Sequence, residues 1–411
     1  MSNSVTLQST AASFPTGMNK TVACPNCLSK GMQSFYAVDN IPVHSCLLMP
    51  SREEAINYPT GQLHLSFCSA CGFVCNTAFD PGMHEYSTRY EETQGFSPTF
   101  NKFAKGLAQD LVNKHKLGPE HTVLEIGCGK GEFLVLMCEL GGCKGIGLDP
   151  AYRPERTISK AAKRIEFIQD FYGPEYAHLT ADFICCRHTL EHIAPTHQFM
   201  ANLRQTIGKR KDAIVFFELP DVMRELKEGA FWDLYYEHCT YFSAGSLARL
   251  FRQTHFDVTE LEVVYAGQYL LITALPTDGP TPPRLPLEHD LAELQQRIAA
   301  FPDVCGNAIN HWRSYVDRNA AKGKRIVLWG SGSKGVSFLT TLRIIDEIEY
   351  VVDINPFRQG KFMPGTGQRI VGPDFLAEYK PDCVIVMNPI YVDEIRRDLE
   401  ARGIKPELVA V

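Results

Sequence analysis

The chain has 411 residues, 45% of them hydrophobic and 21% charged, with a formal net charge of −6 and a pI near 6.1. That length exceeds one comfortable core and implies two or three domains. The acidic balance excludes a nucleic-acid partner held by bulk electrostatics, but leaves room for a local basic pocket and a small phosphorylated ligand. No apolar run approaches the roughly 20 residues that cross a bilayer, so no membrane partner is expected. Met1–Lys20 is rich in Ser, Thr and Ala and lacks a signal peptide's basic start and apolar stretch. A cytoplasmic location is expected, and the 14 cysteines then read as thiols or metal ligands, not as a disulfide frame.

Residues 1–20 read as a frayed tail. Residues 21–95 form a cysteine-containing module with broken hydrophobic runs and too little apolar periodicity for a core of its own. Within it, Cys24-Pro25-Asn26-Cys27 and Cys68-Ser69-Ala70-Cys71 are two C-x2-C pairs separated by 40 residues. Each pair places two thiolates on one tight turn, and two turns supply a closed tetrahedral set for a structural Zn²⁺ with no open position for water. The competing reading is free buried cysteines or a redox pair. His44, Cys46 and Cys75 are candidate substitutes for one ligand, but none has a paired spacing.

Residues 96–280 alternate strand and helix, the pattern of a doubly wound parallel sheet. Val123–Ile126, Gly145–Leu148, Ile165–Gln169, Phe183–Cys186 and Ile214–Glu218 read as strands, Glu132–Leu140 and Gln198–Ile207 as helices. Val258–Tyr265 and Tyr269–Ala274 read as a closing antiparallel pair. The first strand runs into Glu125-Ile126-Gly127-Cys128-Gly129-Lys130-Gly131, where glycines let a ligand approach the backbone. Asp149 ends the next strand, placed to accept both ribose hydroxyls of an adenosine. Glu125 disfavours the pyrophosphate that such loops otherwise cradle and suits an ammonium-bearing ligand.

Two histidine clusters follow later strands, at the edge where open α/β sheets place ligands. They are Arg187-His188-Thr189-Leu190-Glu191-His192 and Tyr235-Tyr236-Glu237-His238-Cys239-Thr240-Tyr241-Phe242. A histidine beside a carboxylate is a candidate base, and tyrosine hydroxyls are candidate donors to an oxyanion. Tyr241 and Phe242 read better as core aromatics.

Thr277–Pro286 is a proline-rich linker, and residues 281–411 form a last domain. It opens with a polar helical stretch, Leu287 to Ala321, and continues as a second β-α-β series with strands Arg325–Trp329, Tyr350–Asp353 and Cys383–Met387. Gly330, Gly332 and Gly335 make a full G-x-G-x-x-G, and Asp353 ends the following strand. Alone this fingerprint reads as nicotinamide-binding. Lys334 in the loop reads as a contact for a phosphate at a helix N-terminus.

The E-x-G-x-G-x-G loop with its downstream acid resembles the class I S-adenosylmethionine-dependent methyltransferases. That resemblance implies that Gly127, Gly129 and Gly131 line the methionine part of the donor and that Asp149 holds its ribose. It places Asp170 at the adenine edge and Arg187 and His188 beside the sulfonium. The double C-x2-C module, the Tyr-x-Glu-His segment and the C-terminal stretches Trp329–Gly335, Val352–Pro356 and Gln359–Thr366 extend the likeness. Together they resemble the sugar C-methyltransferases, which act on nucleotide-linked 4-keto-6-deoxy sugars. The implied architecture is α/β: a small zinc module, a class I methyltransferase core and a Rossmann-like C-terminal domain. The implied reaction is enolate attack on the methyl sulfonium, with His238 as base, Tyr235 and Glu237 supporting it, and His192 near the substrate. Tyr90, or else Tyr86, is the matching tyrosine ahead of the core. The chain departs from the family at Tyr90-Glu91-Glu92-Thr93-Gln94, where a tyrosine- and serine-rich run is usual. These carboxylates are expected near the substrate entrance, where an amino sugar would meet them. O- or N-methylation of another small metabolite is the alternative activity, and an idle core in a zinc-stabilised scaffold is a third reading.

Overall fold

Three sheets organise the chain. In the computed structural model, residues 12–15, 17–83 and 89–411 are described; Tyr86 lies outside them. Strands β1 (Gly17–Ala23), β2 (Lys30–Pro42), β3 (Thr60–Phe67) and β4 (Val74–Asn76) form an antiparallel sheet in that order. β1 begins inside the stretch expected to be a frayed tail, and Ser13 bridges Ala37 ahead of it. The apolar content of this module is also larger than its sequence pattern suggests. Register shifts between Ser34 and Tyr36 and between Val38 and Ile41 interrupt the two-residue alternation by which a half-buried strand is recognised. Phe35, Tyr36 and Val38 are nonetheless buried.

The module does not close its own core. Its fifth strand, Thr240–Tyr241, comes from far along the chain and pairs with β4, Thr240 opposite Cys75 and Tyr241 opposite Val74. Its apolar face meets a long C-terminal helix, where Phe301 packs edge-on against Phe35 and Tyr36, each with ring centroids 5.6 Å away.

The second sheet contains β5 (Thr122–Ile126), β6 (Lys144–Leu148), β7 (Ile165–Ile168), β8 (Phe183–Arg187), β9 (Ile214–Pro220), β10 (Phe256–Val264) and β11 (Tyr269–Pro276). Its order is β10-β11-β9-β8-β5-β6-β7, with β5 to β9 mutually parallel and β11 antiparallel between β9 and β10. The strand order reverses between β5 and β8, which opens a crevice at their carboxyl ends. Helices α1 (Pro98–His115), α2 (Glu132–Gly141), α3 (Thr196–Ile207), α4 (Val222–Glu228) and α5 (Ala244–Gln253) accompany this sheet.

After the proline-rich linker comes α6 (Leu291–Ala320), which buries Leu294, Ile298, Phe301, Cys305, Trp312 and Val316. These residues recur at helical spacing and give α6 one apolar stripe. The third sheet is wholly parallel: β12 (Ile326–Trp329), β13 (Tyr350–Val352), β14 (Arg369–Val371), β15 (Cys383–Val386) and β16 (Glu407–Ala410), in the order β14-β13-β12-β15-β16. Its reversal lies between β12 and β15. Helices α7 (Ser333–Leu342) and α8 (Val392–Ala401) follow β12 and β15. The architecture is α/β, with a class I methyltransferase sheet and a Rossmann-like unit beside the antiparallel module.

Candidate active site

The carboxyl ends of the two parallel sheets line one cavity of about 750 Å³. Glu125, Asp149, Arg187 and Pro220 come from the methyltransferase sheet, and Trp329, Asp353 and Met387 from the C-terminal one. Tyr90, Glu92, Gly127, Gly129, Asp170, His188, His192, Tyr235, Glu237 and His238 also line it, so the structure brings these expected residues into one space, while Gly131 is not among its lining.

In the donor half, the glycines answer to close packing. Gly127 has φ +70°, and a Cβ there would stand 2.1 Å from Thr189 Oγ1, so no other residue fits without rearrangement. Asp149 accepts from the backbone N–H groups of Gly129 at 2.8 Å and Ala151 at 2.7 Å, which fixes the acid against the loop. Asp170 is exposed and accepts from the Tyr176 hydroxyl at 2.7 Å. Glu125 is buried, and its Oε2 has no hydrogen-bond partner. Burial pushes its carboxyl up to about 8, against the pull of Arg187. A buried acid with an orphaned oxygen facing a cavity fits a cationic ligand group. The donor's ammonium supplies one.

Below the donor half runs a charge network that the sequence did not disclose. Arg187 donates through Nε to Glu218 at 2.5 Å and lies over the Phe133 ring, 3.8 Å from its centroid. Arg187 therefore has a fixed carboxylate partner. His188 places Nε2 3.3 Å from Glu218 and Nδ1 3.6 Å from Glu191. Burial opposes charge on both His188 and Glu218. Their mutual attraction, with Arg187 and Glu191, outweighs it, holding the imidazole up at about 9 and Glu218 down at about 2. Glu218 stands at the carboxyl end of β9, a position where an acid is legible as a site residue.

In the acceptor half, Tyr235 Oη lies 3.1 Å from His238 Nε2. The His192 ring meets His238 nearly at right angles, centroids 4.8 Å apart. Burial keeps the Tyr235 phenol well above its ordinary value, so it remains a hydrogen-bond donor. Glu237 has a partner set that sequence proximity does not suggest. It accepts from His44 Nδ1 at 2.7 Å and from Ser45 through both N–H (2.8 Å) and Oγ (2.9 Å), all in the antiparallel module. Tyr90 is buried beside it, its ring 6.1 Å from His44 and its backbone bridged to Leu47.

Of the run Glu91-Glu92, only Glu92 lines the cavity. Glu91 is buried, accepting from Arg156 Nη1 at 2.9 Å and Asn355 Nδ2 at 3.0 Å, so it joins all three parts of the chain. Glu92 pairs with the buried Lys130 of the glycine loop at 2.8 Å. Lys334, expected to meet a phosphate, has its ammonium on the buried Asp233, which also accepts from Arg224 at 2.5 Å. Asp353 at the second glycine loop accepts from Ser331 through N–H (3.0 Å) and Oγ (2.5 Å).

Away from the cavity, the sulfurs of Cys24, Cys27, Cys68 and Cys71 converge. Cys24–Cys71 and Cys27–Cys68 are each separated by 3.7 Å. Sulfurs at the corners of a tetrahedron about 2.3 Å from zinc stand about 3.8 Å apart, so the set fits that ion. Cys46 lines the cavity and is not part of the group.

Residues 100–261 match the family model of a methyltransferase domain, and residues 289–405 match that of a C-methyltransferase C-terminal domain. The chain is 27% identical over 307 residues to the C-methyltransferase NovU of Streptomyces niveus, covering 70% of this chain and 71% of that one. Among solved structures, a 1,6-didemethyltoxoflavin N1-methyltransferase of Burkholderia thailandensis, holding S-adenosylhomocysteine, is 21% identical. It matches 45% of this chain and 83% of its own with a TM-score of 0.35. CalO1, a methyltransferase of calicheamicin biosynthesis, is 16% identical over 43% of this chain and 55% of its own, TM-score 0.34. The regions matched by the two family models both line the cavity, and the second model describes the C-terminal domain of C-methyltransferases. The chain is therefore an S-adenosylmethionine-dependent methyltransferase that joins a methyltransferase domain to a C-methyltransferase C-terminal domain.

Proposed function

We propose that the enzyme methylates a carbon next to the ketone of a nucleotide-linked keto-deoxy sugar. The observation that carries this reading is the Tyr235–His238 pair, at 3.1 Å, in the same cavity as the donor loop. The bound donor supplies an electrophilic methyl group on a sulfonium. Glu125, Gly127, Gly129, Gly131 and Asp149 hold it, with Asp170 at the adenine edge and Arg187 and His188 beneath the sulfonium end. His238 Nε2 takes the proton from the carbon beside the ketone, and that C–H electron pair becomes the enolate with its charge on oxygen. Tyr235 Oη donates to that oxygen. The enolate carbon would then form its bond to the donor's methyl group as the S–CH3 bond breaks, its electron pair returning to sulfur as a neutral thioether, while the carbonyl re-forms. Glu237 acts on His238 by anchoring the segment that carries it to the module, Tyr90 closes the wall opposite, and His192 faces the acceptor. The four cysteines hold a structural zinc ion, and residues 281–411 present the carboxyl edge of their sheet to the nucleotide.

The test is solvent exchange in deuterium oxide with candidate keto-sugar nucleotides, followed by mass spectrometry. Deuterium is expected to enter at the carbon beside the ketone, with His238→Ala abolishing the exchange. Methylation that survives His238→Ala, with no exchange in any keto sugar, would overturn enolate chemistry.

One observation favours O- or N-methylation of another small metabolite. Lys130, Arg187, Arg224 and Lys334 are each already paired with a carboxylate. A diphosphate would have to rely on Arg358 and the N–H groups that open α7. Labelled methyl transfer to nucleotide-free hydroxylated or amino acceptors, with none to keto-sugar nucleotides, would select this second reading.

A further inference from the structure

We propose that Glu191, His192 and His238 form a second divalent-cation site, of the two-histidine-one-carboxylate kind, inside the cavity and separate from the four cysteines. One donor atom from each of the three lies within 4.8 Å of the other two. An independent observation points to a ligand there. Glu191 is only 2% exposed, yet neither of its carboxylate oxygens has a hydrogen-bond partner. His188 Nδ1, at 3.6 Å, is beyond hydrogen-bond range. The His188 imidazolium gives this carboxylate one ion-pair neighbour but no hydrogen bond, so both oxygens keep lone pairs for a further cation, which native interiors rarely leave unused.

The backbone holds the three ligands on two pieces that are tied together. Glu191 and His192 lie on the 3-10 turn Leu190–His192 just after β8, and His238 precedes the strand Thr240–Tyr241. Thr240 Oγ1 donates to the Leu190 carbonyl at 3.0 Å, and Cys239 Sγ approaches the Glu191 carbonyl at 3.6 Å. The two imidazole planes cross at 89° with their centroids 4.8 Å apart. Ligand atoms about 2.0–2.2 Å from a tetrahedral ion stand roughly 3.4 Å apart. The set would draw in by at most about 1.4 Å, and the half-buried His192 is the member with room to do so.

Two imidazoles and one carboxylate suit Zn²⁺, Co²⁺ or Ni²⁺, whereas the thiolate cluster is the softer site. Three protein ligands leave a position open to the cavity, where water or an acceptor oxygen would complete the shell. Binding requires both imidazoles neutral, so any proton on them leaves with metal uptake. On the proposed function, and only on it, metal binding also removes the lone pair that His238 uses as base, so the cation competes with catalysis.

The test titrates Co²⁺ into the full-length protein already loaded with zinc at its cysteines, by calorimetry and visible absorption. One further equivalent is expected, with weak ligand-field bands and no sulfur-to-cobalt charge transfer. Glu191→Gln and the milder His192→Gln should each weaken it at least tenfold, while the exposed His178→Gln leaves it unchanged. Circular dichroism confirms that each variant is folded. No further equivalent would overturn the proposal, as would equal affinity in both site variants or a charge-transfer band showing cobalt only at cysteine. Cobalt binding without solvent exchange in the metal-free cavity would leave this site standing and remove the enolate reading. Exchange without cobalt binding would do the reverse.

Discussion

The ammonium of Lys130 lies 2.8 Å from Glu92 and 2.9 Å from the Tyr90 carbonyl oxygen, so the glycine loop is fastened to the segment that precedes the methyltransferase core. Lys130 is buried, and burial pushes the Glu92 carboxyl upward. Removing one partner of such a pair costs more than removing both, because a buried charge is left behind. Glu92→Gln should lower stability by about 1–3 kcal/mol and weaken donor binding several-fold. Lys130→Met added to it should recover part of the stability. Thermal melts and donor calorimetry check both, and a double variant less stable than Glu92→Gln would show that the pair is not the fastening.

Glu237 offers a second separation, between anchoring and chemistry. With three donors from His44 and Ser45, its carboxylate docks the antiparallel module on the acceptor wall. Glu237→Gln should cost about 1.5–3 kcal/mol, the range for hydrogen bonds to a charged group. Combined with Ser45→Ala, the loss should be clearly less than the sum of the two single losses. Additive losses in denaturant unfolding would mean that the contact contributes nothing.

The glycine loop and the strand ends of the methyltransferase sheet were legible because their residues are adjacent in sequence and their period is clear. Val123–Ile126 and Gly145–Leu148 differ from β5 and β6 by one residue. Strands β14 and β16 were not legible, although β12, β13 and β15 are equally short: β14 opens on Arg369 after Gln368, and β16 opens on Glu407. What hid the rest is distance along the chain. Glu237 meets His44 across 193 positions and Asn355 meets Glu91 across 264, so local pattern assigned those acids to neighbours or to solvent. Lys334 read as a phosphate ligand for the same reason, since nothing near it in sequence announces Asp233. The Cys24 and Cys68 pairs were the exception: a spaced pair carries its chemistry with it, so their convergence was expected despite the gap.

The buried network under the donor half predicts opposite pH limits. His188 is held at about 9, above the 6.5 of an unperturbed histidine, so its stabilisation is complete below about 6.5 and is lost as pH rises through 9. Glu218 is held at about 2, so its stabilisation is complete above about 4.5 and is lost as pH falls through 2. His188 sits at φ +48°, a backbone that Asn tolerates better than most residues. His188→Asn should therefore fold and should flatten the fall in stability between pH 7 and 9, worth on the order of 2 kcal/mol. Urea midpoints across that range decide it. An unchanged slope would place the alkaline loss elsewhere.

Removing metal from the four-cysteine cluster should separate the two halves of the cavity. The knuckle turns dock on the methyltransferase domain: His197 N–H donates to the Pro25 carbonyl at 3.1 Å, Asn26 Nδ2 to the Ser246 carbonyl at 3.2 Å, and Arg249 Nε to the Cys71 carbonyl at 2.8 Å. Cys71 leads through β4 to Cys75, opposite Thr240 and two residues from His238. Among the described residues, no such hydrogen bond ties the donor loop to the cysteines. If zinc holds the turns, chelation should lower the melting temperature by several degrees and cut methyl transfer at least tenfold, because the His238 segment loses its paired strand. Donor affinity should change less than threefold. Metal analysis alongside calorimetry and turnover checks this, and Cys27→Ser should reproduce the chelated state. Full turnover in protein shown to contain no zinc would identify the four cysteines as packed thiols, in contact at 3.7 Å.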